Sequence, residues 1–262
     1  PFAPAKNGKV KRRGGDAVIA CPKRIVHHYA RGLPTPAPGI LKVVLFGPAM
    51  SSPVSSESTV AQNPSAVVVD GVTIPTILDQ AATPTAGPSP DRRTVAAALL
   101  AQEHQTKRGG WNLALNDLIG TWRLRFTAPK QSVHRSGQPS SKGYYIPGLA
   151  QATLSITPDS ERPAGLTIQN QLNILGLKLR FTGPAKMLPH KNLLAFDFER
   201  MQVMLGRFTV LSMPVRGGRT QGQGFEVTPI GKLPFFSFFA ASGHYLAARG
   251  RGGGLALWVK QS

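Results

Sequence analysis

The chain has 262 residues, with 31 Lys and Arg against 12 Asp and Glu, a net charge of +19 and 41% hydrophobic residues. That is enough apolar sequence for one sizeable core plus an extension, or two small domains. The positive field draws polyanions, meaning nucleic acid or anionic lipid headgroups. A single cysteine, Cys21, excludes an internal disulfide or a cysteine-based metal cluster, and no run reaches the ~18 apolar residues of a membrane-spanning helix.

The first residues, 1–24, carry Lys6, Lys9, Lys11, Arg12, Arg13, Lys23 and Arg24 against one acid, Asp16. The chain opens on Pro1 rather than Met, without a charged-then-apolar signal segment. We therefore expect a mature form whose transit peptide has been removed, and hence import into an organelle. A Pro/Ser/Ala/Thr-rich tract follows through Pro90, broken by two apolar islands. One is ILKVVLF from Ile40. The other is AVVVDGVTI, where Asp70-Gly71 between β-branched runs predicts a short hairpin near residues 66–74. Composition predicts that residues 1–89 form a basic extension, disordered alone. Two islands are too few to hold so long an arm on its own globule, so we expect it to be ordered across neighbours in a large assembly.

From Ser89 the pattern changes. SPDRRTVAAALLAQEH places Ser89 as N-cap and Pro90 at the first helical position, with Val95, Ala98, Leu99 and Gln102 on one face. After this one helix the chain reads as strands over 120–128, 150–158, 165–174, 177–184, 193–205, 206–214, 224–231 and 255–260. Leu124 and Phe126 are expected on one face, with Arg123, Arg125 and Thr127 on the other. Phe196 and Phe198 are likewise set against Asp197 and Glu199. Short strands at regular spacing, with no second helical stretch, predict a mainly β fold: an antiparallel barrel or sandwich over residues 90–262. Trp122, Phe126, Phe181, Phe196, Phe198 and Phe208 are expected in its core.

Catalytic and metal chemistry find little support. His27, His28, His104, His134, His190 and His244 are not at metal-ligand spacing with one another or with an acid. Ser242 lies in FFAASGH rather than a nucleophile elbow, and His244 beside it reads as a turn residue. We expect no enzyme, no metal and no cofactor. RGRGGGLALWVK, from Arg249, lacks the last glycine of a dinucleotide loop and leads into a strand, not a helix. The Arg-Gly-Gly triplet recurs at Arg13, Arg108, Arg216 and Arg251. Without an array of aromatics these read as turns carrying arginine at their tips, where phosphate contact is feasible.

NDLIGTWRLRFTAPK, LTIQNQLNI, LKLRFTGPAKM, NLLAFDFERMQVML and RGRGGGLALWVK together resemble the plastid lipid-associated protein/fibrillin domain over about residues 90–262. A G-x-W-x-L-x-[YF]-T motif opens that family's first strand; here it is Gly120, Trp122, Leu124, Phe126 and Thr127. The closing motif is matched by Arg249, Gly250, Gly253, Leu255, Leu257, Val259 and Lys260. The resemblance implies a lipocalin-like antiparallel β-barrel, non-catalytic, associated in plastids with plastoglobules, thylakoids and prenyl lipids. Arg251 departs from it, standing where the family usually carries an acid, and the stretch Tyr245 to Ala248 is shortened.

Residues 91–262 contain 22 Lys and Arg and 8 Asp and Glu, more basicity than a plain lipid carrier needs. The expected function is therefore a structural subunit of a large organellar assembly, in the chloroplast ahead of the mitochondrion. A ribosome-like ribonucleoprotein is favoured, with rRNA and other protein subunits as partners. The polyanion-contacting candidates are Lys9, Lys11, Arg12, Arg13, Lys23, Arg24, Arg108, Arg216, Arg219, Arg249 and Arg251. The alternative is a plastoglobule or thylakoid protein that holds a lipid or isoprenoid in the barrel and lies on anionic lipid.

Overall fold

The computed structural model describes residues 68–69, 72–83, 88–130, 142–162, 165–215 and 224–261. The N-terminal candidates Lys9, Lys11, Arg12, Arg13, Lys23 and Arg24, the island from Ile40, the Asp70-Gly71 pair, and Arg216 and Arg219 lie outside the described residues.

Strands β1 (Val68–Val69) and β2 (Val72–Thr73) pair antiparallel, and the chain then enters helix α1 (Ile74–Ala82). Composition alone assigns this stretch to the extension and does not predict α1. Pro75 sits at the start of the helix, where a missing N–H costs nothing. Ile74, Ile77, Leu78 and Ala81 recur at helical spacing and are buried. Helix α2 (Arg92–Gly109) begins later than the Ser89 reading. Its N-cap is Asp91, whose carboxylate accepts the Arg93 amide at 2.8 Å. Gly110 closes it in the left-handed region, φ 65°, so the second Arg-Gly-Gly triplet is a helix C-cap.

A short helix α3 (Leu115–Leu118) leads into strands β3 (Gly120–Ala128), β4 (Tyr144–Tyr145), β5 (Ala150–Pro158), β6 (Leu166–Ile174) and β7 (Leu177–Leu188). Then come β8 (Leu193–Phe196), β9 (Arg200–Leu205), β10 (Phe208–Pro214), β11 (Phe235–Ala241), β12 (Tyr245–Gly250) and β13 (Leu255–Lys260). Eight of them close an antiparallel barrel in the order β7-β6-β5-β3-β13-β12-β11-β8 and back to β7. β4 is a short appendage on β3.

The expected strand over 193–205 runs along one edge of β7 but breaks at Asp197–Glu199. There Asp197 N–H donates to Pro184 at 3.1 Å and Glu199 N–H to Thr182 at 2.9 Å. Gly183 makes this close crossing feasible: a Cβ there would stand 2.0 Å from the Asp197 carbonyl oxygen. The break forks the wall. β8 continues through β11 and closes the barrel, whereas β9 continues through β10 into a two-stranded ribbon. Two further expectations fail. Residues 224–231 form a turn and part of a 3-10 helix (Ile230–Lys232) rather than a strand, consistent with Pro229 and Gly231. The apolar run from Phe235, together with Tyr245–Gly250, supplies two barrel strands that alternation did not reveal.

That run is legible once both faces of the wall are seen to be covered. Trp122, Leu154, Ile168, Phe238, Leu246 and Trp258 pack inside the barrel. On the outside, α1 and α2 bury Phe126, Phe239, Tyr245, Leu255, Leu257 and Val259. Strands covered on both faces lose the polar/apolar alternation. Two register shifts assist. β3 slips against β13 at Arg125, and β11 slips against β12 at Phe239. An extra residue at a bulge reverses the facing of the residues beyond it. Leu124 therefore points inward and Phe126 outward under the helices, not to one face as expected. In β11 the bulge sets Phe239 and Ala240 both toward the outer core, whereas Phe236 and Phe238 serve the interior.

Candidate interaction surface

The motif residues that carry the resemblance have structural duties. Gly120 adopts φ 135°, a region favouring glycine. Trp122 is buried inside the barrel, donates Nε1–H to the Leu118 carbonyl at 2.8 Å, and lies under the Lys260 ammonium. Leu124 packs inside and Phe126 outside. Buried Thr127 donates its hydroxyl to the Leu255 carbonyl at 3.1 Å. Gly253 turns the chain between β12 and β13 at φ 87°. Gly250, on the same turn, donates its N–H to the Gly254 carbonyl at 2.9 Å.

The two described arginines of the closing motif are occupied within the fold. Arg249 grips Glu103 of α2 through Nε, at 2.8 and 3.0 Å to the two carboxylate oxygens, and through Nη2; its Nη1 donates to the Gly253 carbonyl. Lys107 adds a second cation to Glu103 at 2.9 Å. Burial, the largest single influence on Glu103, raises its pKa. The hydrogen bonds from Arg249 and Lys107 outweigh it and hold the carboxyl below its ordinary value. Arg251 donates to the Leu233 carbonyl at 3.0 Å and to the Gly231 carbonyl, stapling the 3-10 turn to the hairpin. These guanidiniums act first on their own chain. Arg108, at the end of α2, is exposed.

Ser242, His244 and Asp79 form a chain that resembles a catalytic triad on paper. His244 Nε2 lies 2.9 Å from Asp79, and Nδ1 lies 3.4 Å from Ser242 Oγ. The hydroxyl, however, accepts the Tyr245 amide at 3.1 Å and that of His244 at 3.4 Å. This is a side chain capping a tight turn. His244 and Asp79 are about half exposed, and the pair ties the β11–β12 turn to α1.

Phe196, Phe198, Phe236, Phe238 and Trp258 form a chain of ring contacts with centroids 5.2–6.4 Å apart. Phe181 joins it through Phe198 at 5.5 Å. Phe208 does not: it is 67% exposed on the ribbon, against the expectation that it belongs to the core.

Sequence reading singles out neither the charge of the forked wall nor the ribbon. No acidic residue occurs between Glu161 and Asp197, or between Glu199 and Glu226. Those segments build β6, β7, β8, β9 and β10, which are contiguous in the sheet. The two acids at the fork are spoken for: Asp197 is buried, and Glu199 pairs with Arg162 at 3.0 Å. Lys178, Arg180, Lys186 and Arg200 stand along the wall, with Lys191 and Arg207 at its turns. Lys186 donates to the carbonyls of Phe225 and Glu226 at 3.1 and 2.9 Å, and Arg180 to Gln171 at 2.9 Å. Lys178, Lys191 and Arg207 make no ion pair among the described residues.

The opposite, inward face of the wall is apolar, and it runs out of the barrel onto the ribbon. Strand register sets Leu172, Leu179, Val203 and Leu211 in one row, and Ile174, Leu177, Leu205 and Phe208 in the next. Exposure rises along each row. Leu172 is 5% exposed and Leu211 43%; Leu177, Leu205 and Phe208 reach 52%, 61% and 67%. Among the described residues no helix is long and apolar enough to cross a membrane, and no cluster of His, Cys, Asp or Glu could hold a metal. Comparison with protein families, with curated proteins and with solved structures finds no match to this chain.

Proposed function

We propose that this chain is a non-catalytic, fibrillin-like barrel that serves as a structural subunit of a large organellar ribonucleoprotein. In this reading its basic wall lies on RNA, and residues 1–67 run across neighbouring subunits. The acid-free wall of β6 to β10 carries the reading: its basic side chains share one contiguous sheet, and among the described residues no carboxylate neutralises them except at the fork. Such a surface suits the phosphate backbone, whose binding is electrostatic and sequence-independent. The chain of aromatic contacts packed in the interior suits a scaffold better than a carrier, which needs an emptied barrel to hold an isoprenoid.

The test is sedimentation of the native protein from organellar extract. Co-sedimentation with a large particle, abolished by RNase and weakened steeply by salt, supports the subunit reading. Association that survives RNase but is lost in detergent refutes it in favour of a lipid-bound protein. The arm is tested separately by truncation to residue 68, which leaves α1 in place. Undiminished incorporation into the particle would remove the arm from the proposal.

A further inference from the structure

The ribbon is incomplete on its own terms. β10 pairs with β9 along one side, and among the described residues no strand lies along the other. An open strand edge presents a row of unpaired N–H and C=O groups, a template for a further strand. Natural edges of this kind are usually blunted by inward charges or by covering elements. Here only Pro214 at the end and a register shift at Val210 interrupt it, while Leu211 and Met213 are left 43% and 38% exposed.

Three other occupants fit less well. A bilayer could take the apolar tips but cannot satisfy backbone hydrogen bonds along the edge. A second copy would bring Arg200 and Arg207 against their own kind, on chains of net charge +19. The chain's own apolar island from Ile40 carries Lys42 and no acid, so it meets the same repulsion. The apolar rows end at β10, where the Arg207 guanidinium lies 5.2 Å from the Phe208 ring, and the polar face beside it holds Lys178 and Arg200 without an unpaired acid among the described residues.

We propose that the free edge of β10 receives an extended segment of another protein, added as an antiparallel strand. Its apolar side chains would continue the rows ending at Phe208 and Leu211, and its acidic side chains would face Arg200, which already reaches Ser212 of β10 at 3.4 Å, with Arg207 at the ribbon's tip. Backbone hydrogen bonds supply affinity in such additions, and alternate side chains supply selectivity. This extends the subunit reading by naming a protein contact, yet its test uses the purified chain and does not depend on RNA or on any particle.

The probe is a short fluorescein-labelled peptide alternating Val and Glu, titrated with the full chain by fluorescence anisotropy. Saturable binding is expected. It should weaken by about tenfold or more when the Glu positions become Lys, and vanish when alternate Val positions become Pro, which cannot donate to the ladder. Phe208→Asp and Leu211→Asp, both at exposed sites, should each reduce binding by about tenfold with an unchanged thermal midpoint. Arg200→Glu/Arg207→Glu should exchange the preference, favouring the Lys peptide. The proposal is overturned by equal binding of both peptides, by binding indifferent to Leu211→Asp, or by no binding at all. It is equally overturned if light scattering shows a dimer that Leu211→Asp dissolves. Binding only to phosphatidylglycerol vesicles, lost in Phe208→Asp, would assign the surface to lipid instead.

Discussion

Replacing Arg249 by Met tests whether α2 is fastened to the barrel by charge. Glu103 is 4% exposed, and Arg249 grips both its carboxylate oxygens through Nε and Nη2. The substitution leaves the carboxylate in place with Lys107, itself on the same helix and largely exposed, as its remaining cation. Removing one partner of a buried pair costs about 3–5 kcal/mol, because the other charge stays desolvated. For a domain of this size that corresponds to a fall of roughly 6–20 °C in the thermal midpoint. Urea denaturation followed by tryptophan fluorescence measures it, with the slope checked for constancy. Glu103→Gln and the double variant complete a cycle, and a coupling energy of about 0.5–3 kcal/mol is expected. The pH dependence has a definite sign. The folded Glu103 carboxyl sits below its ordinary value of 4.5, so its contribution is fully present above that pH and is lost as pH falls through the folded value. In Arg249→Met the main cause of that lowering is gone while burial remains, so this acid-dependent loss should shrink or reverse. A midpoint within the error of wild type, with no change in acid sensitivity, would refute the fastening.

Three further outcomes are expected. Tyr245 is buried near Asp79, and burial first, then the Asp79 charge, pushes its phenol up to about 12. Its neutral form is favoured by the fold, so ultraviolet titration should show Tyr245 ionising late, together with Tyr145, whose phenol burial also raises, and stability falling between pH 10 and about 12. Gly183→Ala places a methyl 2.0 Å from the Asp197 carbonyl oxygen. Because the clash is with backbone, we expect a loss of about 1–3 kcal/mol or more in denaturant unfolding. Leu78→Ala, at a fully buried site of α1, should cost about 2–5 kcal/mol. A chain begun at residue 90 should therefore be far less stable than one begun at residue 68, as differential calorimetry of the two would show.

The barrel is legible in the sequence because most of its strands announce themselves: 120–128 and 150–158 match β3 and β5 residue for residue. What sequence reading misses has identifiable physical causes. Phe235–Ala241 and Tyr245–Gly250 are covered on both faces, so the alternation that marks a half-buried strand is absent. Phe126 is expected on the wrong face because nothing in a run of residues announces a bulge at Arg125. Helix α1 hides in a Pro-rich neighbourhood, and its pattern becomes persuasive only when the barrel wall that it covers is known. The strand expected from Gly224 contains Pro229 and Gly231, which argue against it. The basic candidates rest on position in turns. Position alone does not tell a guanidinium that reaches outward from one, such as Arg249 or Arg251, that turns back onto the chain's own oxygens. The acid-free wall is visible in the sequence as two long gaps between carboxylates, but its continuity depends on which strands are neighbours.

The wall shared by the interior and the helical layer has a mechanical consequence. Because β3, β11, β12 and β13 each contribute side chains to the barrel interior and to the helical layer, neither hydrophobic cluster can loosen without disturbing the wall common to both. The helices are then not a detachable layer but part of the same cooperative unit. Amide exchange should report this as a gradient: the slowest protons along β12 and β13, released only by global opening, and the fastest along the ribbon beyond the fork, where among the described residues nothing covers one side of the sheet.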